Sequence, residues 1–455
     1  MSGWKKVKID FATIKLGDFI EPIKTTVADT GDKNPIVYGV SNKDGISQTG
    51  KPASKDISNY IVLEKDCFAF NPYRINVGSI GVNDENLKGC VSPAYVVFKT
   101  KNGLLPKFLY FYLKSDYGIH LINWYGNRGG VRNALRYSDL CKIDIPDIRH
   151  LNQEKLLKTF SSAWTQIEEL YKEIEKQKNY AKQLRQNILQ EAIEGKLTAD
   201  WRKQHPVQKG NPDYDAQALL DCLQQKKESL KKDPLVKREK IRTPVGDTEK
   251  EFSIPNNWIW IRMGELCYPI TKGTTPDVHE IKADGEIPYL KMFNIVNQKL
   301  DFDYRPQYIS KKVHDEKLTR SKVYPNDVIM NIVGPPMGKI AMVTDEFPEW
   351  NLNQAMAIFR GYDISINPYI YVFLNSMIWF KYVHTLGVVG QENMSLEQCK
   401  DIAVALPPLA EQKEIVARVE QHLQTIAQLE TQITTRETTT KQLMQSILKD
   451  AFEED

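Results

Sequence analysis

Cysteine is scarce and scattered in this chain. The six cysteines of 455 residues (Cys67, Cys90, Cys141, Cys222, Cys267, Cys399) include no C-x-x-C pair and have no histidine at ligand spacing, which argues against both a zinc site and a disulfide framework. Reduced, mostly buried thiols are expected. Long apolar runs are missing too, so no membrane span is predicted, and the opening Met1-Ser2-Gly3-Trp4-Lys5-Lys6 lacks the apolar stretch of a secretory signal. The expected location is the cytoplasm. Nor does one sign of charge dominate: 61 Lys+Arg stand against 58 Asp+Glu, a net charge of +3. This excludes a histone-like polycation but leaves room for locally segregated charge.

Signatures of chemistry are equally thin. The sequence has no phosphate loop, no H-E-x-x-H and no Ser or Cys nucleophile pattern, and its seven histidines are dispersed. Asn71-Pro72-Tyr73-Arg74 approaches the Asn/Asp-Pro-Pro-Tyr/Phe element of amino-methyltransferases, but the second proline is missing and no strand leads into a Gly-x-Gly turn. Pro276-Asp277 with Glu280-Ile281-Lys282 spells the letters of a nuclease site. Two intervening residues leave no room for the strands that must bring three side chains onto one metal. No catalytic residue, metal ligand or cofactor site is assigned within the chain.

What is present is an internal repeat. Leu135 to Glu194 aligns without gaps with Met394 to Glu453 at an offset of 259, with 13 identities in 60 positions, where composition alone gives roughly 4. Within it, apolar positions step by four and three: Leu156, Phe160, Ala163, Ile167, Leu170, Ile174, Ala181, Leu184, Ile188, answered by Ile415, Val419, His422, Ile426, Leu429, Ile433, Thr440, Leu443, Ile447. This is the spacing of a coiled-coil seam. Both copies lapse at one place, Gln177 and Arg436, either a device that fixes register or a solvated weak spot. Helices of about 40 residues would be on the order of 60 Å long. The simplest way to bury both seams is to pack them on each other within one chain, antiparallel and with a pseudo-two-fold axis.

The segments before the helices repeat more loosely. Phe11 to Phe19 matches Trp258 to Leu266 at an offset of 247, Asn71 to Ile80 corresponds to Asn331 to Ile340, and Ala94 to Phe98 corresponds to Ala355 to Phe359. The second copy carries about a dozen extra residues around Thr271 to Glu286. Short β-like runs (60–63, 95–98, 328–333, 355–359) precede aromatic helical stretches at 106–113 and 368–374. The predicted class is therefore α+β, with similar domains at 1–150 and 252–408, spacer helices at 151–194 and 409–455, and a charged linker at 195–251. In that linker Lys226 to Arg242 holds eight basic and three acidic residues. A solvated, partly flexible segment is the first expectation for such a run, and contact with an anionic partner the second.

The entry Ile254-Pro255-Asn256-Asn257-Trp258 leading to Met263-Gly264-Glu265-Leu266, the turn Gly273-Thr274-Thr275-Pro276, and Leu352-Asn353-Gln354-Ala355 resemble the specificity subunit of type I restriction-modification systems. So does the passage from Gly390-Gln391-Glu392-Asn393-Met394 to Leu406-Pro407-Pro408-Leu409-Ala410-Glu411-Gln412. The first half departs from this last pattern, with Ile148 to Gln153 in place of the prolines, which points to a different entry into the first helix. The resemblance implies a non-catalytic subunit in the cytoplasm that binds double-stranded DNA, two methyltransferase subunits, and restriction and translocase subunits. S-adenosylmethionine, with ATP and Mg for restriction, would belong to those partners, and each of the two target-recognition domains would read one half of a gapped site.

Such readers need base-edge and phosphate groups on loops. The candidates are Asn71, Arg74 and Asn76, with Asn127, Arg128 and Arg132 in the loop Asn127-Arg128-Gly129-Gly130-Val131-Arg132, in the first domain. In the second they are Lys272, Thr274, Thr275, Lys291, Asn294, Asn331, Lys339 and Gln391. About half of this set is expected to touch DNA, the rest being turn residues or exposed charges. Two other classes stay in view: a coiled-coil scaffold without sequence-specific DNA binding, and an enzyme with an unrecognised site.

Overall fold

The computed structural model describes residues 12–32, 34–42, 44–49, 56–126, 134–149, 151–334, 336–382 and 393–453. Its contacts divide the chain into two compact units, Met1–Gln177 with Gln432–Asp455, and Lys178–Thr431. Among the described residues no helix is long and apolar enough to cross a membrane.

In the first unit the β-like runs of the sequence become three small sheets. Thr13–Lys15 pairs antiparallel with Asp144–Pro146. A four-stranded sheet follows the spatial order Ile20–Pro22, Val96–Thr100, Phe68–Phe70, Ile80–Val82, and a mixed one the order Gly45–Gln48, Val37–Ser41, Cys90–Val91, Ile61–Val62. Phe68, Ala69 and Phe70 are buried on both faces, which explains why this strand reads as a continuous apolar run rather than an alternation. Phe68 stacks on Phe98 at 4.7 Å and Phe70 meets the same ring edge-on at 6.2 Å. Pro106, pre-set for a first helical position, opens the helix Pro106–Lys114, whose Tyr110 and Phe111 pack against Trp164 of the first spacer helix.

The second unit repeats this plan and adds a short hairpin, Ile295–Val296 with Lys299–Leu300. Ile259–Arg262 pairs with Ala403–Leu406. One four-stranded sheet runs Cys267–Lys272, Met356–Gly361, Val328–Asn331, Ile340–Met342, and the other Tyr308–Ile309, Ile287–Leu290, Trp350–Leu352, Lys322–Val323. In each mixed sheet the one parallel pair falls at the same topological place, Val37–Ser41 with Cys90–Val91 and Ile287–Leu290 with Trp350–Leu352. The α+β class and the duplicated domain are as expected.

The spacer helices are Gln153–Ile193 and Leu409–Glu453. In the second unit, Arg185 donates to Glu430 at 3.1 Å while Arg418 donates to the carbonyl of Leu197 at 2.9 Å, so the segments run antiparallel. Burial follows strict heptads, Ile167, Ile174, Ala181 and Ile188 in one helix and Val419, Ile426, Ile433 and Thr440 in the other. The alternate positions do not behave as the periodicity predicts. Leu184, Leu429 and Leu443 are 44%, 42% and 47% exposed, and His422 is exposed, so these helices meet along one position per heptad and not along the two of a regular coiled coil. The side chains of Phe160 and Ile447 lie outside the described residues. The shared lapse has a partner: Arg436 donates to the Gln177 amide oxygen at 3.1 Å, so the two polar interruptions meet each other in the first unit.

The helix entries do differ. Asn152 caps the first, its amide oxygen accepting from Lys155 N at 3.0 Å. The second starts after Pro407-Pro408, with Gln412 bonded back to the Pro407 carbonyl. The flexible linker, by contrast, is overturned. Residues 195–251 form the helices Ala199–Gln204, Ala216–Ser229 and Pro234–Lys237, with Leu219, Leu220, Leu223 and Val236 buried. Lys226 pairs with Asp363, Lys227 with Glu265, and Arg242 with Glu397 and Asp401. Three of the eight basic residues in its run are therefore spent on carboxylates of the second domain.

Candidate nucleic-acid interface

Register places one set of loops at a common end of each domain. In the second domain Lys272 lies across from Ala357, Asn331 across from Met356, and Leu290 across from Leu352. The segments that follow Lys272, Leu290, Asn331 and Leu352 therefore emerge side by side. Hydrogen bonds tie them together: Gly273 N reaches Met356 O at 3.0 Å, Thr274 N reaches Leu352 O at 3.2 Å, Asn353 N reaches Leu290 O at 3.0 Å, and Ile332 N reaches Ala355 O at 2.8 Å. Gly273 is demanded by this crowding. A Cβ there would lie 2.1 Å from the carbonyl oxygens of both Leu352 and Asn353.

The first domain builds the same end from the segments after Pro22, Ser41, Phe70 and Val91, since Phe70 lies across from Val96 and Tyr38 across from Val91. Asn71 opens the loop between Phe70 and Ile80. The Asn71 side-chain oxygen accepts from Tyr73 N at 3.0 Å and its carbonyl from Arg74 N and Ile75 N, the self-bonded turn that asparagine favours. This leaves Tyr73, Arg74 and Val77 exposed at the tip.

The sequence-derived candidates separate on this frame. Arg74, Lys272 and Thr275 are exposed, and Asn76, Thr274, Lys291 and Lys339 are half-buried on the loops. Thr274 has its carbonyl held by the Tyr289 hydroxyl at 2.9 Å, and burial pushes that phenol up to about 12. The Lys291 ammonium sits 6.0 Å from the Tyr289 ring centre. Arg74, Lys272, Lys291 and Lys339 pair with no carboxylate among the described residues, unlike Lys226, Lys227 and Arg242 of the linker.

Asn294 and Asn331 are corrections. Both are buried, and their amides are spent inside their own loops. Asn294 accepts from Lys291 N at 3.0 Å and donates to Tyr304 O at 2.9 Å. Asn331 accepts from Lys339 N at 2.8 Å and donates to the carbonyls of Val333 and Pro336 at 2.7 and 3.0 Å. They shape the loops from within. Asn127, Arg128, Arg132 and Gln391 lie outside the described residues.

Several loop residues escaped the sequence reading. Lys24 and Thr25 stand after Pro22 as Lys272 and Thr274 stand after Pro269, and the gapped match of Pro22-Ile23-Lys24-Thr25-Thr26 to Pro269-Ile270-Thr271-Lys272-Gly273-Thr274-Thr275 could have found them. Asn42, Gln354 and Gln298 are the others. Gln298 holds both sides of the loop before Ile340, accepting from Ile340 N at 2.8 Å and donating to Gly338 O at 3.4 Å.

Residues 255–436 match the family described as type I restriction modification DNA specificity domain. The EcoEI specificity subunit of a type I restriction enzyme from Escherichia coli is 28% identical over 259 residues, 55% of this chain. The chain spans about two fifths of that relative's length, 41%. The EcoDI specificity subunit from the same organism is 22% identical over 98% of this chain and 89% of its own length. A chain from a solved structure concerned with complex assembly and conformational transition of the type I R-M system shares the fold, at a TM-score of 0.65 and 15% identity over 98% of this chain and 99% of that one.

Proposed function

We propose that this chain, whose residues 255–436 match the family described as type I restriction modification DNA specificity domain, is the target-recognition subunit of such a system. Each α+β domain reads one half of a bipartite, gapped site on double-stranded DNA. The spacer helices set the gap and dock two methyltransferase subunits, with restriction and translocase subunits completing the assembly. The chain itself is non-catalytic. S-adenosylmethionine, and ATP with Mg, act in the partner subunits.

The observation that carries this reading is the duplicated loop end. Two domains of one topology converge the same four loops, and the cations on those loops (Arg74, Lys272, Lys291, Lys339) have no carboxylate partner among the described residues, whereas Lys226, Lys227 and Arg242 of the linker do. Unpaired cations beside polar loop groups are what phosphate positioning and base-edge readout require. A scaffold without DNA binding has no use for such an end in both domains.

The test is to co-express the chain with the methyltransferase of its own system and map methylated adenines. One gapped motif is expected. Arg74→Ala should relax only the half read by the first domain, and Lys272→Ala only the other. Absent or motif-free methylation would refute the reading.

A further inference from the structure

Lys114 closes the helix Pro106–Lys114 with an ammonium that has no counter-ion. Nζ donates to the carbonyl oxygen of Asn42 at 3.0 Å and to its side-chain oxygen at 3.1 Å, and lies 5.5 Å from the Tyr110 ring centre. No carboxylate among the described residues pairs with it. The titratable group recorded beside it is Tyr110 on its own helix, and the turn it holds carries Asp44, whose carboxylate takes the Ser41 hydroxyl. Desolvating a cation without a counter-charge costs stability, so the arrangement calls for a reason outside folding.

Asn42 supplies one. It ends the strand Val37–Ser41 at the loop-bearing end of the first domain and is exposed. Gly78, in the left-handed region at φ 83°, passes so close that a Cβ there would lie 2.5 Å from the Asn42 side-chain oxygen and 3.5 Å from its nitrogen. The oxygen thus faces inward toward Lys114 and the Asn71–Ser79 loop, and the amide nitrogen has no hydrogen-bond partner among the described residues.

We propose that Lys114 is a positioning residue of the first recognition domain: by holding the Asn42 oxygen inward it presents the amide nitrogen to DNA as a donor. An asparagine reads adenine with its oxygen and nitrogen together. With the oxygen engaged, Asn42 favours acceptors instead, the O6 and N7 of guanine or the O4 of thymine. This rests on the DNA-recognition reading above and deepens it to one position of one half-site.

A pH dependence follows, with two opposite signs. Burial pulls the Lys114 ammonium down to about 8 from its usual 10.5. Readout by Asn42 is therefore strongest well below pH 8 and weakens as pH rises through it, because the neutral amine donates a weaker hydrogen bond than the ammonium. Folding stability moves the other way: between about 8 and 10.5 the unfolded chain holds more protons at this site than the folded one, so stability rises with pH. A merely structural lysine would not lose recognition while its domain grows more stable.

The experiment uses the assembled methyltransferase complex and duplexes altered one base at a time in either half-site. Lys114→Met should lower discrimination about tenfold at one position of the first half-site, leave the second untouched, and flatten the pH dependence between 7 and 9. Lys114→Arg should restore discrimination and hold it through pH 9. Unchanged discrimination in Lys114→Met, or equal loss at both half-sites, overturns the inference while leaving the proposed function standing. A wild-type complex with no gapped motif removes both.

Discussion

Replacing Glu411 should cost more than any other single change in the second unit, and the cost can be worked from its surroundings. The carboxylate is fully buried at the start of the second spacer helix. It accepts from Thr198 Oγ1 at 2.8 Å, Trp258 Nε1 at 2.8 Å, Asn257 Nδ2 at 3.2 Å and the Arg202 guanidinium. These donors come from the segment that ends the first spacer helix and from the entry strand of the second domain, so one side chain closes three segments. Glu411→Ala strands the guanidinium, for which removal of a buried partner costs about 3–5 kcal/mol. Arg202 retains some exposure and a bond to the Gly195 carbonyl at 2.6 Å, which favours the lower figure, about 3 kcal/mol. For a unit of 254 residues, 178 through 431, that lowers the melting point by about 6–12 °C. Differential scanning calorimetry should show one transition shifted and the other in place. Replacing both ends with apolar residues, Glu411→Met with Arg202→Met, should recover part of the loss, because no charge is left unpaired. A loss under about 1 kcal/mol for Glu411→Ala, or no recovery in the double variant, would refute the keystone role.

Two shorter expectations concern the second domain. His314 is buried, with Nδ1 3.1 Å from the Asn351 amide nitrogen, and burial together with the Lys322 charge lowers its pKa below the usual 6.5. The unfolded state then binds the extra proton first, so stability should fall as pH drops below 6.5, by at most about 1.4 kcal/mol per pH unit. Melting curves from pH 7.5 to 5.5 should show this slope, and His314→Gln should flatten it; an unchanged slope refutes the assignment. Gly273→Ala must push a Cβ into the carbonyls of Leu352 and Asn353, so methylation mapping should show loss of the second half-site with the first retained.

The repeat, the spacer helices and the strands near Ile61, Val96, Val328 and Met356 were legible because their signals are local. Periods of seven and two reside in neighbouring residues, and Val328 to Val333 and Ala355 to Phe359 needed nothing distant to be read as strands. Burial is not local in that sense. Leu184 fits the heptad pattern as well as Ile188 does, and only the way the two helices face each other decides that one is exposed. Asparagines were the least readable residues of the loops. Asn331 beside a glycine-bearing turn looks like a base reader, and the same amide geometry that would grip an adenine grips the carbonyls of Val333 and Pro336 instead.

Cations pose the same problem in sharper form, and its solution shows what the fold adds to the sequence. Lys226 and Lys272 are alike in type and setting along the chain, and the denser positive run surrounds Lys226. Yet Lys226 meets Asp363, 137 residues away, and Lys227 meets Glu265, whereas Lys272 meets no carboxylate among the described residues. A neutralised cation has little left to offer a phosphate, since its field is cancelled within a Debye length. An unpaired one keeps its full attraction and pays no cost of breaking a pair on binding. Under the proposed reading, charge density along the sequence is therefore a weaker guide than position: Lys272, Lys291 and Lys339 lack a carboxylate partner among the described residues and stand where the sheet register brings the loops to one end.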